Sequence, residues 1–451
     1  MSQTTLATLS ALLVWVALVA YAVLGGADFG GGIWDLLSRG PTATRERIAI
    51  ARGMGPVWES NNIWLIFVLV VTWTAFPVVY AGVSTALFIP ITLVVIGIVL
   101  RGAAFSFRSN YGLEVGAGHA WGQVFSVASL ITPFLFGTIA GALVSGGIRV
   151  SGQPPQAQAN PWTTWTTPFA LSCGAFALGL CSVLSATYLT VDASNNNDQD
   201  LVQSFRRRAM IAGAVTAVIG ALTALLASIQ APILWHGLIG SALPLSLGAV
   251  VLGLATAVTL LRGMYLVARM LVAAETVCIL AAWAVAQFPY LIVPDVTIDN
   301  AASPAAVLGP LLIVVLVGMV LVLPALWYLL RIFKTRPRTP GPETTVASFV
   351  ATMDGGIAAD ASLTPNSTAT PLIVGAGGPS EPRTAAPTLS IAGGESVLAF
   401  VACIVVAVVV TAIFPKIAGR ASASGGKWLA HASGSGSKWL AQTRNKPHLS
   451  T

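Results

Sequence analysis

Charge is what this chain has least of. Only 9% of its 451 residues are Asp, Glu, Lys or Arg, against about 25% in an average soluble domain. With 55% hydrophobic residues and a mean hydropathy of +0.82, the composition excludes a water-soluble globular protein. Cysteine is scarce too. Cys173, Cys181, Cys278 and Cys403 fall inside apolar stretches without C-x-x-C spacing, so neither a disulfide framework nor a thiolate metal site is signalled. They read as small buried hydrophobes. Between Leu6 and Leu330 the only imidazoles are His119 and His236, in or beside loops on opposite faces, which excludes a facing pair of nitrogen ligands. Met1–Thr5 carries no basic residue, and the apolar run after it is too long for a signal peptide, so a retained helix is expected. The glycine-rich stretch Gly25–Gly32 follows an apolar run and lacks a Lys-Ser/Thr ending, which excludes a phosphate loop.

What the chain does have is long apolar runs. Stretches able to cross about 30 Å of hydrocarbon are read at Leu6–Leu24, Ile63–Tyr80, Val83–Leu100, Val124–Val144, Pro168–Val191, Ala209–Ile229, Leu243–Leu261, Met270–Phe288 and Ala305–Leu330. An open sheet cannot satisfy its backbone in lipid, so all are expected to be helices. The expected fold class is therefore all-α and polytopic. A nine-helix transmembrane core spans 1–334, a disordered linker 335–395, an additional apolar helix 396–414 and a flexible low-complexity tail 415–451. Pro, Thr, Ala, Ser and Gly dominate the linker, which cannot bury enough apolar surface to offset its ordering entropy. The tail repeats Lys427-Trp428-Leu429-Ala430 as Lys438-Trp439-Leu440-Ala441. Trp beside Lys suits a membrane interface, and a functionless tail is the alternative.

The net charge of +7 sets orientation rather than a nucleic-acid surface. One set of alternate loops or helix ends holds fifteen basic residues, among them Arg39, Arg45, Arg101, Arg108, Arg208 and Arg269; the other holds only Arg149. By the positive-inside rule the N-terminus lies outside, and the loop Trp34–Pro56 is cytoplasmic. A tenth span from Ser396 to Phe414 would then place Lys416, Arg420 and Lys427 outside, against that rule, and its topology stays open.

Two carboxylates enter the membrane from the arginine-rich side: Asp28 near the end of the first span, and Glu59 at the start of the second. A charge near the centre of a span costs about 2.5–3.5 kcal/mol, so such a group has a partner or a proton to carry. Ser60, Asn61 and Asn62 add polar atoms around Glu59. The residues alone leave two alternatives, a proton relay or simple neutralisation by Arg101. Trp58 and Trp64 flank Glu59; Trp64 suits an interfacial belt, and Trp58 either packing or lining. Glu275, in the eighth span, is within reach of a snorkelling Arg269, which favours a structural ion pair over a relay. Gly26 and Gly30, like Gly137 and Gly141, have the small-xxx-small spacing of close helix packing. Pro133 is the prominent interior breaker.

Four stretches in order, Gly25–Gly32, Gly55–Trp64, Arg101–Arg108 and Phe288–Ala301, make the region from Leu6 to Phe333 resemble subunit II of the cytochrome bd-type quinol oxidases. The resemblance implies two four-helix bundles plus a peripheral helix, in the bacterial cytoplasmic (inner) membrane. It implies an oxidoreductase complex in which a partner, subunit I, carries haem b and haem d and oxidises quinol, while this chain binds no cofactor or metal. A small single-span subunit, lipid and quinone are further expected partners. It assigns proton transfer to Asp28 and Glu59, oxygen access or lining to Trp58 and Trp64, and the charge partner to Arg101. The chain departs from the family pattern at Gly25, where relatives carry an acid, and at Ser106, where relatives can carry one. The rivals are a proton-coupled transporter, whose helices would break near the midplane, and a structural scaffold with all acids paired.

Overall fold

The computed structural model describes residues 1–335 apart from 55–57, 112–116 and 153–154. The side chains of 54, 58–60, 109–111, 117, 323, 326, 327 and 329–335 are likewise outside the described set. The expected linker beyond Thr335, the helix Ser396–Phe414 and the tail lie outside the described residues. The chain comprises a helical body, described up to Met319, and a second unit beginning at Val320.

Helix α1 runs Gln3–Leu37, its first turn closed by the Ser2 hydroxyl accepting from the Thr5 amide at 3.2 Å. The expected end at Leu24 is wrong: the glycine run stays helical, and Asp28 lies nine residues before the end, about 13 Å of rise. The reason is packing. A Cβ on Gly30 would overlap the Cys181 carbonyl, and one on Gly32 would overlap Ser129. These glycines let neighbouring helices approach rather than breaking this one.

Helix α2 (Ala43–Met54) is short and lies in the expected loop Trp34–Pro56. The second apolar run is not one straight span. Helix α3 (Trp58–Ala75) and helix α4 (Pro77–Ala86) meet at Phe76 with a bend of 117°. Pro77 has no N–H and its ring clashes with the preceding turn, so the helix must restart there. The carbonyls freed at the break are satisfied: Ser303 donates its hydroxyl to Thr74 and its amide to Ala75, both at 2.8 Å. Pro77, not Pro133, is the breaker. Pro133 sits within helix α6 (Ala117–Val144), which continues through it.

Helix α5 spans Phe88–Tyr111, carrying Arg101 and Arg108 within the helix rather than after it. A hairpin of β1 (Arg149–Ser151) and β2 (Gln156–Gln158) follows α6. Helix α7 (Pro168–Asn195) and helix α8 (Gln199–Gln230) then follow almost without a connection, so Arg206–Arg208 are helical. Asp198 caps α8 by accepting from the Leu201 amide. Helices α9 (Pro232–Ile239), α10 (Leu243–Leu261) and α11 (Tyr265–Gln287) lead to a second hairpin, β3 (Tyr290–Ile292) with β4 (Val296–Thr297). The short α12 (Ile298–Ala301) and α13 (Ala305–Thr335) complete the described chain.

Among the described residues eight helices are long and apolar enough to cross a membrane, or nine if the bent pair α3–α4 is one span. The chain is a polytopic, all-α membrane protein. Helix α7 is the hub, packing against α1, α6, α8 and α11, while α5 packs on α6 and α10 on α11. At the end of the body away from the arginines, the two hairpins are tied by Arg149, whose guanidinium forks onto Asp295 at 2.8 and 3.0 Å.

Candidate functional site

Asp28 is one of the acids that the fold places inside a long apolar helix. It projects from the C-terminal third of α1, partly buried, and accepts a hydrogen bond from the side-chain amide of Asn61 in the first turns of α3. Arg101 of α5 lies close enough for its charge to act on Asp28. The guanidinium is itself held in place. Its Nε donates to the Ser129 hydroxyl of α6 at 3.1 Å, and the Phe29 and Phe125 rings lie 4.8 and 5.2 Å from its central carbon. Aromatic faces and one hydroxyl replace much of the water that an arginine loses on burial.

Seven residues further along both helices the arrangement recurs with different chemistry. Asp35 of α1 and Arg108 of α5 form a two-pronged pair at 2.9 and 3.0 Å, and Ser126 of α6 donates to the same carboxylate at 2.9 Å. Both side chains are under 10% exposed, at 5% and 7%. A spacing of seven is about two helical turns and keeps residues on one face. Asp28 and Asp35 thus face Arg101 and Arg108 as two rungs, which requires α1 and α5 to run in the same direction. The outer rung is a two-pronged ion pair, and the Arg108 Nε beside it is buried without a hydrogen-bond partner among the described residues. The inner acid accepts from a neutral amide instead.

Outside the spans, Glu46 of α2 is almost fully buried and bridges three elements. It accepts from Ser204 at 2.8 Å and from Arg208 of α8, whose guanidinium also faces the Trp34 ring. Burial opposes its charge, but the Ser204 and Ser38 hydroxyls and the Arg208 guanidinium together hold its carboxyl below the usual range. At the opposite end, the Arg149 fork likewise lowers Asp295.

Of the expected site residues, the structure brings Asp28 and Arg101 together. Trp64 is buried in α3, one turn beyond Asn61. Glu59 and Trp58 begin α3, but their side chains lie outside the described residues. The expected pairing of Arg269 with Glu275 is not made. Arg269 covers the Tyr188 ring at 4.5 Å and reaches Asp192 at 4.0 Å, whereas Glu275 lies against Gly253 of α10. Helix α11 also starts at Tyr265, so Glu275 sits near its middle rather than in its second turn. Asn61 was expected beside Glu59, whereas Glu46 and the pair Asp35 and Arg108 were missed. A seven-residue repeat of acids in one helix and arginines in another was the available signal.

One more polar atom shares this face. Tyr21 is seven residues before Asp28, is 6% exposed, and its hydroxyl has no hydrogen-bond partner among the described residues. A buried unpaired hydroxyl costs about 1–3 kcal/mol.

Comparison with known proteins is consistent along the chain. The family model described as cytochrome bd terminal oxidase subunit II matches residues 6–333. The chain is 29% identical over 214 residues to cytochrome bd-I ubiquinol oxidase subunit 2 of Escherichia coli K12, covering 47% of this chain and 54% of that protein. The aligned part thus spans about half the length of that relative. A putative cytochrome bd menaquinol oxidase subunit II of Bacillus subtilis is 22% identical over 343 residues, covering 74% of this chain and 97% of its own. In fold, a chain from the bd oxidase of Geobacillus thermodenitrificans superposes with a TM-score of 0.59 at 19% identity, covering 73% of this chain and 98% of that one. The match of the family model across residues 6–333 decides the assignment, and the chain belongs to the cytochrome bd terminal oxidase subunit II family.

Proposed function

We propose that this chain is the non-haem subunit II of a quinol:oxygen oxidoreductase in a bacterial cytoplasmic membrane, forming a heterodimer with a haem-bearing subunit I. The arginine-rich end is the cytoplasmic one and the N-terminus is outside. Quinol oxidation and oxygen reduction belong to the partner and its b- and d-type haems. Among the described residues, neither histidine is placed to pair with the other as a haem ligand. His119 is exposed and pairs with Gln123 on its own helix, and exposed His236 turns its Nδ1 to the Pro232 carbonyl. A small single-span subunit and a bound quinone are compatible additions.

The chain's part in the chemistry is to admit protons from the cytoplasm through Glu59 and Asp28, with Trp58 and Trp64 lining oxygen access. The observation that carries this reading is Asp28 itself, held in a transmembrane helix by Asn61 and lying beside the anchored Arg101. Arg101 favours the anion, Asn61 steadies one oxygen, and the carboxyl retains a second oxygen for a proton. The transporter reading gains a broken span but loses the acid. The break at Phe76 is fifteen residues from Asn61, about 22 Å along α3, and its freed carbonyls are already bonded to Ser303.

The test uses the complex purified through this chain. It should bring down a red, haem-containing partner, and Glu59→Gln and Asp28→Asn should keep the haem spectrum while losing most quinol-driven oxygen uptake. A colourless preparation refutes the assignment of partner. Unchanged turnover, or haem lost together with activity, refutes proton delivery.

A further inference from the structure

The Tyr21 hydroxyl is the innermost of three polar side chains spaced by seven along one face of α1, with Asp28 and Asp35. Its ring is pinned edge-on between Phe29 and Phe136, with centroids 6.4 and 5.7 Å away. The ring leans over Gly25, where an added Cβ would meet its Cε2 at 3.2 Å. The ring therefore reaches a full turn along α1 towards Asp28, which leaves about three residues, roughly 4.5 Å, of rise to that acid. Asp28 and Arg101 both lie within electrostatic reach of the phenol oxygen. The hydroxyl is buried and has no bonding partner among the described residues. A phenol has no reason to be placed so if packing were its only task, because phenylalanine would fill the same space without stranding an O–H.

We propose that Tyr21 is a proton-relay residue, the next station inward from Asp28, linked to it by water. This rests on the reading of Asp28 as a proton carrier. The step is an exchange. Protonated Asp28 gives its proton to the bridging water, and that water passes one of its own to a lone pair of the Tyr21 oxygen. The original phenolic proton leaves to water on the inward side, so the phenol ends neutral, as it began, and no bond other than O–H is made or broken. Gly25 is part of the device, since a Cβ there would crowd the ring edge at 3.2 Å.

Tyr21→Phe removes one oxygen and keeps the ring contacts, so it tests the hydroxyl alone. In the purified complex, quinol-driven oxygen uptake per haem should fall about tenfold or more. Haem content and the quinol KM should stay unchanged, and the solvent deuterium isotope effect should rise because proton transfer has become slower. Added to Asp28→Asn, Tyr21→Phe should cost nothing further, since both act on one path. Unchanged turnover in Tyr21→Phe overturns the proposal while leaving Asp28 standing, provided that Asp28→Asn alone is impaired. Loss of haem with activity, a raised KM without an isotope effect, or additive losses also overturn it. If Asp28→Asn alone keeps full turnover, proton delivery through this face fails, and the relay fails with it.

Discussion

The outer rung offers a quantitative test of what holds α5 against α1. Arg108→Leu deletes both bonds to Asp35 and leaves that carboxylate, 5% exposed, with only the Ser126 hydroxyl. Removing one partner of a buried pair typically costs about 3–5 kcal/mol, because the other charge remains desolvated. For a body of this size, that lowers the midpoint of thermal disassembly on the order of 10 °C. The measurement is the loss of assembled, haem-retaining complex on heating in detergent, at one fixed scan rate because such losses are irreversible. Adding Asp35→Asn to Arg108→Leu removes the stranded charge and should restore most of the loss, giving a coupling of about 2 kcal/mol or more. Arg108→Lys, which keeps the charge but not the fork, should fall between. A single variant as stable as the wild type would refute the reasoning. So would a double variant no better than the single, since the cost would then be one of lost packing.

Two further outcomes follow from burial and approach. Glu46 is held below its ordinary value of 4.5, so it contributes stability that is present above about pH 4.5 and is lost as pH falls through its lower, folded value; Glu46→Gln should therefore flatten the acid limb of the complex's stability profile relative to wild type, and an unchanged limb would remove Glu46 from the account. Gly30→Val should sharply lower the yield of assembled complex, because its Cβ would overlap the Cys181 backbone of α7, whereas Gly213→Ala in α8, with nothing within 4 Å, should be neutral or stabilise by about 0.4–1 kcal/mol; equal yields would show that the α1–α7 approach is looser than described.

The apolar runs made the class of fold legible, because hydropathy reports burial in lipid directly. Boundaries were less legible, for reasons that differ from place to place. Gly25–Gly32 looks like the end of a helix when only local propensity is weighed. Its true role is set by Ser129 and Cys181 on other helices, which a single sequence does not bring near. The break before Pro77 lay hidden because both sides are equally apolar, so a window of hydropathy runs across it. The arginines were read for what they say about orientation, which obscured that Arg108 is buried in a pair with Asp35 and Arg208 in another with Glu46. Asp28 and Arg101 were legible as candidates because charge inside a span is rare enough to demand a reason. The choice of Glu275 as the partner of Arg269 failed by proximity in sequence. Six residues along a helix point the two side chains in different directions, and Asp192 on α7 is what Arg269 meets.

Position along α1 and type of polar group are not independent. Asp35, nearest the arginine-rich end, is a full anion neutralised by a guanidinium in direct contact. Asp28, two turns inward, is bonded by a neutral amide, with Arg101 kept to one side by Ser129. Tyr21, two turns further, carries only a hydroxyl. The free energy of holding a charge rises towards the middle of the bilayer, so a helix that must conduct protons inward can carry fixed charge at its rim, titratable charge below that, and neutral O–H groups deepest. On the proposed proton path, the same order would give selectivity. A cation drawn to Asp35 finds it already paired, one that reached Asp28 would face the Arg101 guanidinium, and only a proton can pass by exchange through a neutral hydroxyl. A substitution that moves charge inward along this face, such as Tyr21→Glu, should therefore impair assembly rather than improve conduction, whereas Tyr21→Phe should spare assembly and impair conduction. That opposition separates a proton path from a stack of structural contacts, because contacts alone give no reason for the two variants to fail in different assays.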